Sequence, residues 1–333
     1  MKNQKTFITV IIDAYGRKQF LEGAIASVLT QSLPKSKYEI VVVKNFKDRR
    51  LDSLIKKNHI KSVFSKKTGV GAFIIDALKI SRGNIISFLD DDDRFAKDKL
   101  MHLYNEFEND PELVFYHNNY IVINESEKTV EALSDKNRYK KISKKLLIQK
   151  LGFNNSSISI RRNLLTDNLD AWGMLNLSID TLSLVLAIKQ KGKIRADNAE
   201  LTLYRIHANN SNINLLGKTA MFTEFIEKKI LLYKRYQEDS ELFYRLSKGT
   251  EFEQQFKRFF IKSKFKYNIY SSIKNKKIKS TLKLSDYKFI LSRPDKQDII
   301  LVILSLSPRY IKKKLVNRLM ESRRVLVSSI QKV

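Results

Sequence analysis

Over the first third of the chain, apolar and polar positions fall into blocks of two alternating periods. Phe7–Ile12 is an apolar run broken only by Thr9, and it predicts a strand buried on both faces. Gln19–Gln31 follows, with Leu21, Ala24, Ile25, Val28 and Leu29 at helical spacing. Tyr38–Val43 predicts a second strand, Leu51–Lys57 a charged helix and Ser62–Phe64 a short strand. Gly71–Ser81 puts Phe73, Ile74, Ala77 and Leu78 on one side of a helix. Ile85–Leu89 then predicts a strand and Lys97–Asn109 a helix. Strands alternating with helices predict an α/β fold whose mainly parallel sheet is covered on both faces. Ligands of such sheets bind outside the carboxyl ends of the strands. That rule singles out three loops: Asp13–Arg17, Lys44–Asp48 and Asp90–Asp93.

The remainder has a different character. Up to Asn212 the pattern is less regular; beyond residue 214 it is basic and helical. Residues 215–333 hold 28 Lys and Arg against 11 Asp and Glu, so they carry +17 of the chain's +28. Between Glu253 and Asp286 no acid occurs, and ten basic residues interleave with Phe256, Phe259, Phe260, Phe265, Tyr267 and Tyr270. The predicted organisation is a domain over 1–214 and a mostly helical basic region over 215–333. The length of 333 residues fits two domains, and 43% apolar residues suffice for a substantial core.

Composition narrows the chemistry. With no cysteine, the chain has no disulfide scaffold, zinc–thiolate site, iron–sulfur cluster or cysteine nucleophile. The basic excess asks for an anionic partner: nucleic acid, a membrane surface or a phosphorylated substrate. The apolar runs Phe7–Ile12 and Ile299–Leu306 fall short of a signal-peptide core and of a spanning helix respectively. The chain is therefore expected on the cytoplasmic side.

The sharpest chemical feature is Asp90-Asp91-Asp92-Asp93, directly after the strand Ile85–Leu89. Adjacent carboxylates raise one another's pKa unless a cation neutralises them. Hard oxygen ligands suit Mg2+ or Mn2+ bridging to substrate phosphates. The plainer alternative is a solvated acidic turn, or acids favouring a helix N-terminus before Lys97; the strand-end position favours the metal.

Three segments together resemble the family 2 inverting glycosyltransferases of the GT-A fold. They are the opening ITVIIDAYGRKQFLEGAIASVLTQSLPKSKYEIVVV, the metal-like FLDDDDRFAKDKL and the late LYRIHANNS (Leu203–Ser211). The resemblance covers about residues 6–212. It implies a Rossmann-like nucleotide-diphospho-sugar transferase domain that moves a sugar from a nucleotide donor to an acceptor hydroxyl with inversion. Ala14, Tyr15 and Arg17 would contact the donor nucleotide, with Asn45 in the neighbouring loop. Asp90 would face the ribose, with Asp91 beside it, Asp92 would bind Mg2+ or Mn2+ and Asp93 would support it; Asp91-x-Asp93 fits the same pattern. Arg205 and His207 would approach the diphosphate, His207 as a further metal ligand. Asp180, opening the apolar helix before Leu182–Gln190, would be the general base, or else only that helix's cap. Trp172 is expected in the core, with sugar stacking as the alternative. Two departures concern the base of the nucleotide: Lys44 and Asn45 stand where the family often has Asp, and Phe73, Ile74 and Ile75 replace an Ala-Arg-Asn pattern. A UDP-sugar remains the expected donor, and a glycan or lipid-linked glycan the acceptor.

The tail reads best as membrane-directed. Glu251–Lys264 places Phe252, Phe256, Phe259 and Phe260 on one face among lysines, as an interfacial helix does. Ile299–Leu306 leads directly into Arg309 and Lys312–Lys314. The expectation is peripheral attachment to an anionic membrane at its inner face, in polysaccharide biosynthesis, with no nucleic-acid partner. The competing readings are a non-catalytic scaffold that keeps the fold or binds sugar nucleotides, and a nucleotidyltransferase; the latter lacks a glycine-rich triphosphate loop.

Overall fold

The structure is a computed structural model, and it describes residues 7–136, 154–207, 222–275 and 280–330. The chain divides into two compact units, 1–205 and 206–333. Residue 214, the boundary expected from sequence, lies outside the described residues.

In the first unit, β1 (Ile8–Ala14), β2 (Tyr38–Lys44), β3 (Lys61–Phe64) and β4 (Ile85–Asp90) alternate with α1 (Leu21–Leu29), α2 (Arg49–Lys57) and α3 (Val70–Ile80). Then come the two-residue β5 (Arg94–Phe95), α4 (Lys99–Asn109), β6 (Leu113–Ile123) and β7 (Ile158–Arg161). The short α5 (Asn163–Thr166) and α6 (Leu169–Gly173), the buried α7 (Ile179–Lys189) and β8 (Lys193–Arg205) complete it. The strands form one sheet in the order β3-β2-β1-β4-β7-β6-β8-β5. Neighbours from β3 to β4 run parallel, and the remaining pairs are antiparallel except β6 with β8. This is the expected α/β architecture, a sheet with a parallel first half followed in the chain by helices.

Register positions the site. β1 and β4 are buried almost throughout, which explains their largely apolar runs. Each buried aliphatic contributes about 1.5–3 kcal/mol, enough to fix strand alignment. In that alignment Asp13 stands opposite Asp90, and Ala14 opposite Lys44. The antiparallel β4–β7 ladder runs on toward Ser156 beside Asp90, and β5–β8 runs on toward Arg205 beside Asp92. β8 escapes a period-two reading because it is half-buried at nearly every position.

α3 and α6 touch backbone to backbone. A Cβ on Gly71 would lie 1.8 Å from the Trp172 carbonyl, so only glycine fits there. Trp172 is fully buried, donates from Nε1 to the Leu164 carbonyl at 3.1 Å and stacks on Phe88. It belongs to the core and not to a sugar-binding surface.

The second unit is helical among its described residues: α8 (Phe222–Ser247), α9 (Glu253–Lys274), α10 (Leu284–Leu291), α11 (Lys296–Leu306) and α12 (Arg309–Ile330). Its core gathers Phe225, Ile261, Phe265, Ile269, Ile290 and Val316. The aromatic face expected to enter a membrane is corrected here. Phe252 and Phe256 are buried, Phe259 stacks on Phe243 and Phe260 on Tyr244, so this face of α9 meets protein. Helical periodicity reports an apolar face without saying what covers it. No helix among the described residues is long and apolar enough to cross a membrane.

Candidate functional site

The parallel strands deliver four loops to one edge of the sheet. After β1 the chain turns at Gly16, whose φ of 69° suits glycine, and its N–H donates to Asn45 Oδ1 at 2.7 Å. The loop after β2 thus props the loop after β1. Lys44, mostly buried, does not reach into the site: it pairs with Asp52 at 2.7 Å and donates to the Phe46 carbonyl. Tyr15 is exposed beside the Phe73 ring at 5.4 Å. Ala14 is buried at the strand end.

The four aspartates at the carboxyl end of β4 do not act as one. Asp90, Asp92 and Asp93 each offer a carboxylate oxygen, and these atoms lie within 4.8 Å of one another. Asp91 turns to Arg17, which also pairs with Asp92 at 2.7 Å. Asp93 is held from two sides, by the Ser156 hydroxyl at 2.6 Å and the Arg205 N–H at 2.8 Å. Asp90 receives Asn155 Nδ2 at 3.3 Å, and its N–H donates to the Ser156 hydroxyl.

The electrostatics follow from crowding without solvent. Burial, then the Asp92 charge, pushes the Asp90 carboxyl up to about 7, and the Asp180 charge adds to the rise. Burial lifts Asp91 to about 7 as well, although Arg17 opposes it. Asp13, missed by motif reading, is raised well above the usual range by burial and by Asp90 and Asp91. Asp93 is raised likewise, by burial and by Asp92 and Asp90. Burial works against the Arg17 charge, but Asp92 and Asp91 outweigh it and hold the guanidinium protonated.

Arg205 is only 2% exposed, and its guanidinium is engaged in bracing. It donates to the Asp92 carbonyl at 2.8 Å and to the Asn124 and Glu125 carbonyls, pairs with Glu127 at 3.0 Å and lies over Phe20. The group therefore fixes the backbone of the aspartate loop from behind. His207, two residues on, is buried and falls in the second unit. Asp180 sits half-buried in the first turn of α7, where it accepts the Thr181 amide at 2.7 Å and the Thr181 hydroxyl.

Whether a divalent cation suits these residues can be judged from the oxygens present. Despite Arg17, two buried carboxylate atoms, Asp13 Oδ1 and Asp91 Oδ2, have no hydrogen-bond partner. A surplus of anionic oxygen at one spot, three of the carboxylates already converging, fits Mg2+ or Mn2+.

Sequence reasoning also missed Ser156, Asn155 and Lys99. Fully buried Lys99 donates to the Ser156 carbonyl and to Thr202 Oγ1, locking the loop before β7 beneath the site. The small polar run Asn154–Ser157 ahead of an apolar strand was the available signal.

Comparison with known proteins agrees with this geometry. Residues 9–168 match the model of Glycosyl transferase family 2. The poly(ribitol-phosphate) beta-glucosyltransferase of Bacillus spizizenii is 33% identical over 105 residues, 29% of this chain and 17% of that protein. The putative teichuronic acid biosynthesis glycosyltransferase TuaG of Bacillus subtilis is 27% identical over 107 residues, 30% of this chain and 41% of that protein. The chain thus spans less than half the length of either curated relative. Among solved structures, S. aureus TarS 1–349 matches over 98% of this chain and 92% of its own, with a TM-score of 0.52 and 14% identity. The same protein in complex with UDP-GlcNAc matches with a TM-score of 0.51 and 14% identity over the same shares. At that identity the likeness concerns the fold.

Proposed function

We propose, for a chain whose residues 9–168 belong to glycosyltransferase family 2, that it transfers a sugar from a UDP-sugar to a hydroxyl of a cell-envelope polymer. The observation that carries this reading is the convergence of Asp90, Asp92 and Asp93 at the carboxyl end of β4, with Asp180 close enough to act on Asp90. A bound UDP-GlcNAc in TarS supports the donor class. The names of the Bacillus relatives support an acceptor of the teichoic or teichuronic type, a glycan or polyol-phosphate chain.

Asp90, Asp92 and Asp93 would hold Mg2+ or Mn2+, which when bound neutralises charge on the leaving diphosphate. The chain's own residues do the rest. The loop of Ala14, Tyr15 and Arg17, propped by Asn45, receives the nucleotide. Arg17 exchanges its carboxylate partners for diphosphate oxygens. Arg205 positions the aspartate loop and does not itself touch the donor. Asp180 accepts the acceptor's hydroxyl proton as that oxygen attacks the anomeric carbon, and the bond to the diphosphate oxygen breaks on the opposite face. One displacement inverts the anomeric configuration.

The test is release of UDP from UDP-sugars with Mn2+ or with chelator, followed by NMR of the anomeric proton of the product. Asp180→Asn is expected to lower turnover by about 10²–10⁴ while nucleotide affinity is kept. Undiminished turnover would remove Asp180 from its role. Nucleotide binding without turnover for any donor and acceptor would favour a non-catalytic sugar-nucleotide-binding protein.

A further inference from the structure

The second unit contains an apolar surface that its own packing leaves open. α11 turns Leu301 and Val302 inward and buries Asp298 completely. Its other side presents Ile299, Ile300, Ile303 and Leu306, and Tyr310 follows at the start of α12. These five side chains are 45–72% exposed. Scattered exposed aliphatics are ordinary; five within twelve consecutive residues form a patch that marks an interaction.

The charge around the patch identifies its partner. From Ile299 to Met320 the chain has no acid and five bases, Arg309, Lys312, Lys313, Lys314 and Arg318, of which Lys312 is buried and donates to Ser272. Next to Tyr310 opens a cavity of about 460 Å3, lined by Phe222, Ile273, Lys274, Arg309, Tyr310 and Lys313. Arg309 donates to the carbonyls of Ile273 and Lys274, which fixes its guanidinium at the wall. Lys274 pairs with Glu227, and Lys313 lies over the Phe222 ring. Cations around a cavity, beside an exposed aliphatic strip, match a phosphate headgroup with acyl chains below it. A second copy of the chain would bring the basic segment Arg309–Arg318 against itself, with like charges facing.

We propose that the α11–α12 face docks in the plane of an anionic phospholipid membrane. Ile299, Ile303, Leu306 and Tyr310 enter the interface, and the cavity beside Tyr310 receives a lipid phosphate. The membrane contact thus lies on α11 and α12 and not on the aromatic face of α9. The proposal is independent of the catalytic reading.

The experiment is co-sedimentation of the full chain with vesicles of phosphatidylcholine, alone or with phosphatidylglycerol in a three-to-one ratio. Binding is expected only with phosphatidylglycerol. Ile303→Asp with Leu306→Asp, and separately Lys313→Glu with Lys314→Glu, should each lower partitioning by about tenfold or more, with the circular dichroism of the wild type. Tyr310→Trp gives a second reading in an otherwise native chain. The emission of the introduced indole should be quenched by brominated phosphatidylglycerol, whereas Trp172 is buried and should not respond. Equal partitioning to both vesicles, wild-type partitioning by the charge and aspartate variants, or unquenched emission from the Tyr310→Trp variant would overturn the proposal. So would a dimer in light scattering that Ile303→Asp dissociates while vesicle binding persists, since the occupant would then be a second copy.

Discussion

Two sites of buried aspartate in this molecule are built on opposite principles. In the second unit, Asp298 is fully buried and its charge is matched by two cations, although its Oδ1 accepts no hydrogen bond. Arg258 reaches it at 2.6 Å and Lys262 at 2.9 Å, and the Asp295 N–H donates to it at the head of α11. In the first unit, Asp13 and Asp90–Asp93 crowd one strand edge, and Arg17 leaves two buried oxygens without partners. Charge-matched acid is structural: two cations already offset the single charge of Asp298. Under-neutralised acid is unfavourable in isolation and becomes favourable when a cation arrives.

This contrast can be broken most severely at Asp92. Asp92→Asn removes one of three converging carboxylates and should cut metal-dependent turnover on the order of a thousandfold with the fold intact, read by UDP release beside circular dichroism. Asp298→Asn should do the reverse. It strands Arg258 and Lys262 and should cost about 3 kcal/mol in urea unfolding, while Mn2+ binding per folded molecule stays unchanged. If Asp92→Asn proved destabilising and metal binding survived, the first cluster would be structural too.

The finest distinction is the pH response. Asp90 and Asp91, raised to about 7, retain protons in the folded state that the unfolded chain releases near pH 4. Their contribution to stability is therefore fully present below pH 4 and is lost as pH rises through about 7. The exposed Asp295, in which slight desolvation is outweighed chiefly by the Lys262 hydrogen bond, is lowered, so its contribution is present above pH 4 and lost in acid. In thermal melts without metal, stability from the site should fall between pH 5 and pH 8. Mn2+ at ten times its Kd should restore about 1.4 kcal/mol at pH 8 and less at pH 5, where protons compete. Equal stabilisation at both pH values would argue that the carboxylates do not bind the ion.

Much of this was legible in the chain. Largely apolar runs announced β1, β2 and β4, because strands covered on both faces need apolar side chains at most positions. The loops of interest followed from strand polarity. The aspartate run could be read as a cation candidate, and the family resemblance agreed with the later match over residues 9–168. Less could be said about the long β6, mostly buried through a polar stretch, and about β8, half-buried at nearly every position without a period. The aromatic face of α9 misled for a related reason: amphipathicity is the same whether protein or lipid lies opposite.

Sequence by itself determined the parallel half of the sheet, the placing of acids at its edge and the separation of acidic chemistry from basic charge. These are local or composition-level properties, carried by neighbouring residues. Tertiary structure alone decided how each charge is used. The β1–β4 register set Asp13 against Asp90, and the β5–β8 ladder brought Arg205 behind Asp92. Packing turned the phenylalanines of α9 inward and left Ile303 and Leu306 outside. Partners more than a hundred residues apart, as Arg205 and Asp93 are, meet only when strands align, and that alignment depends on the burial of the whole core.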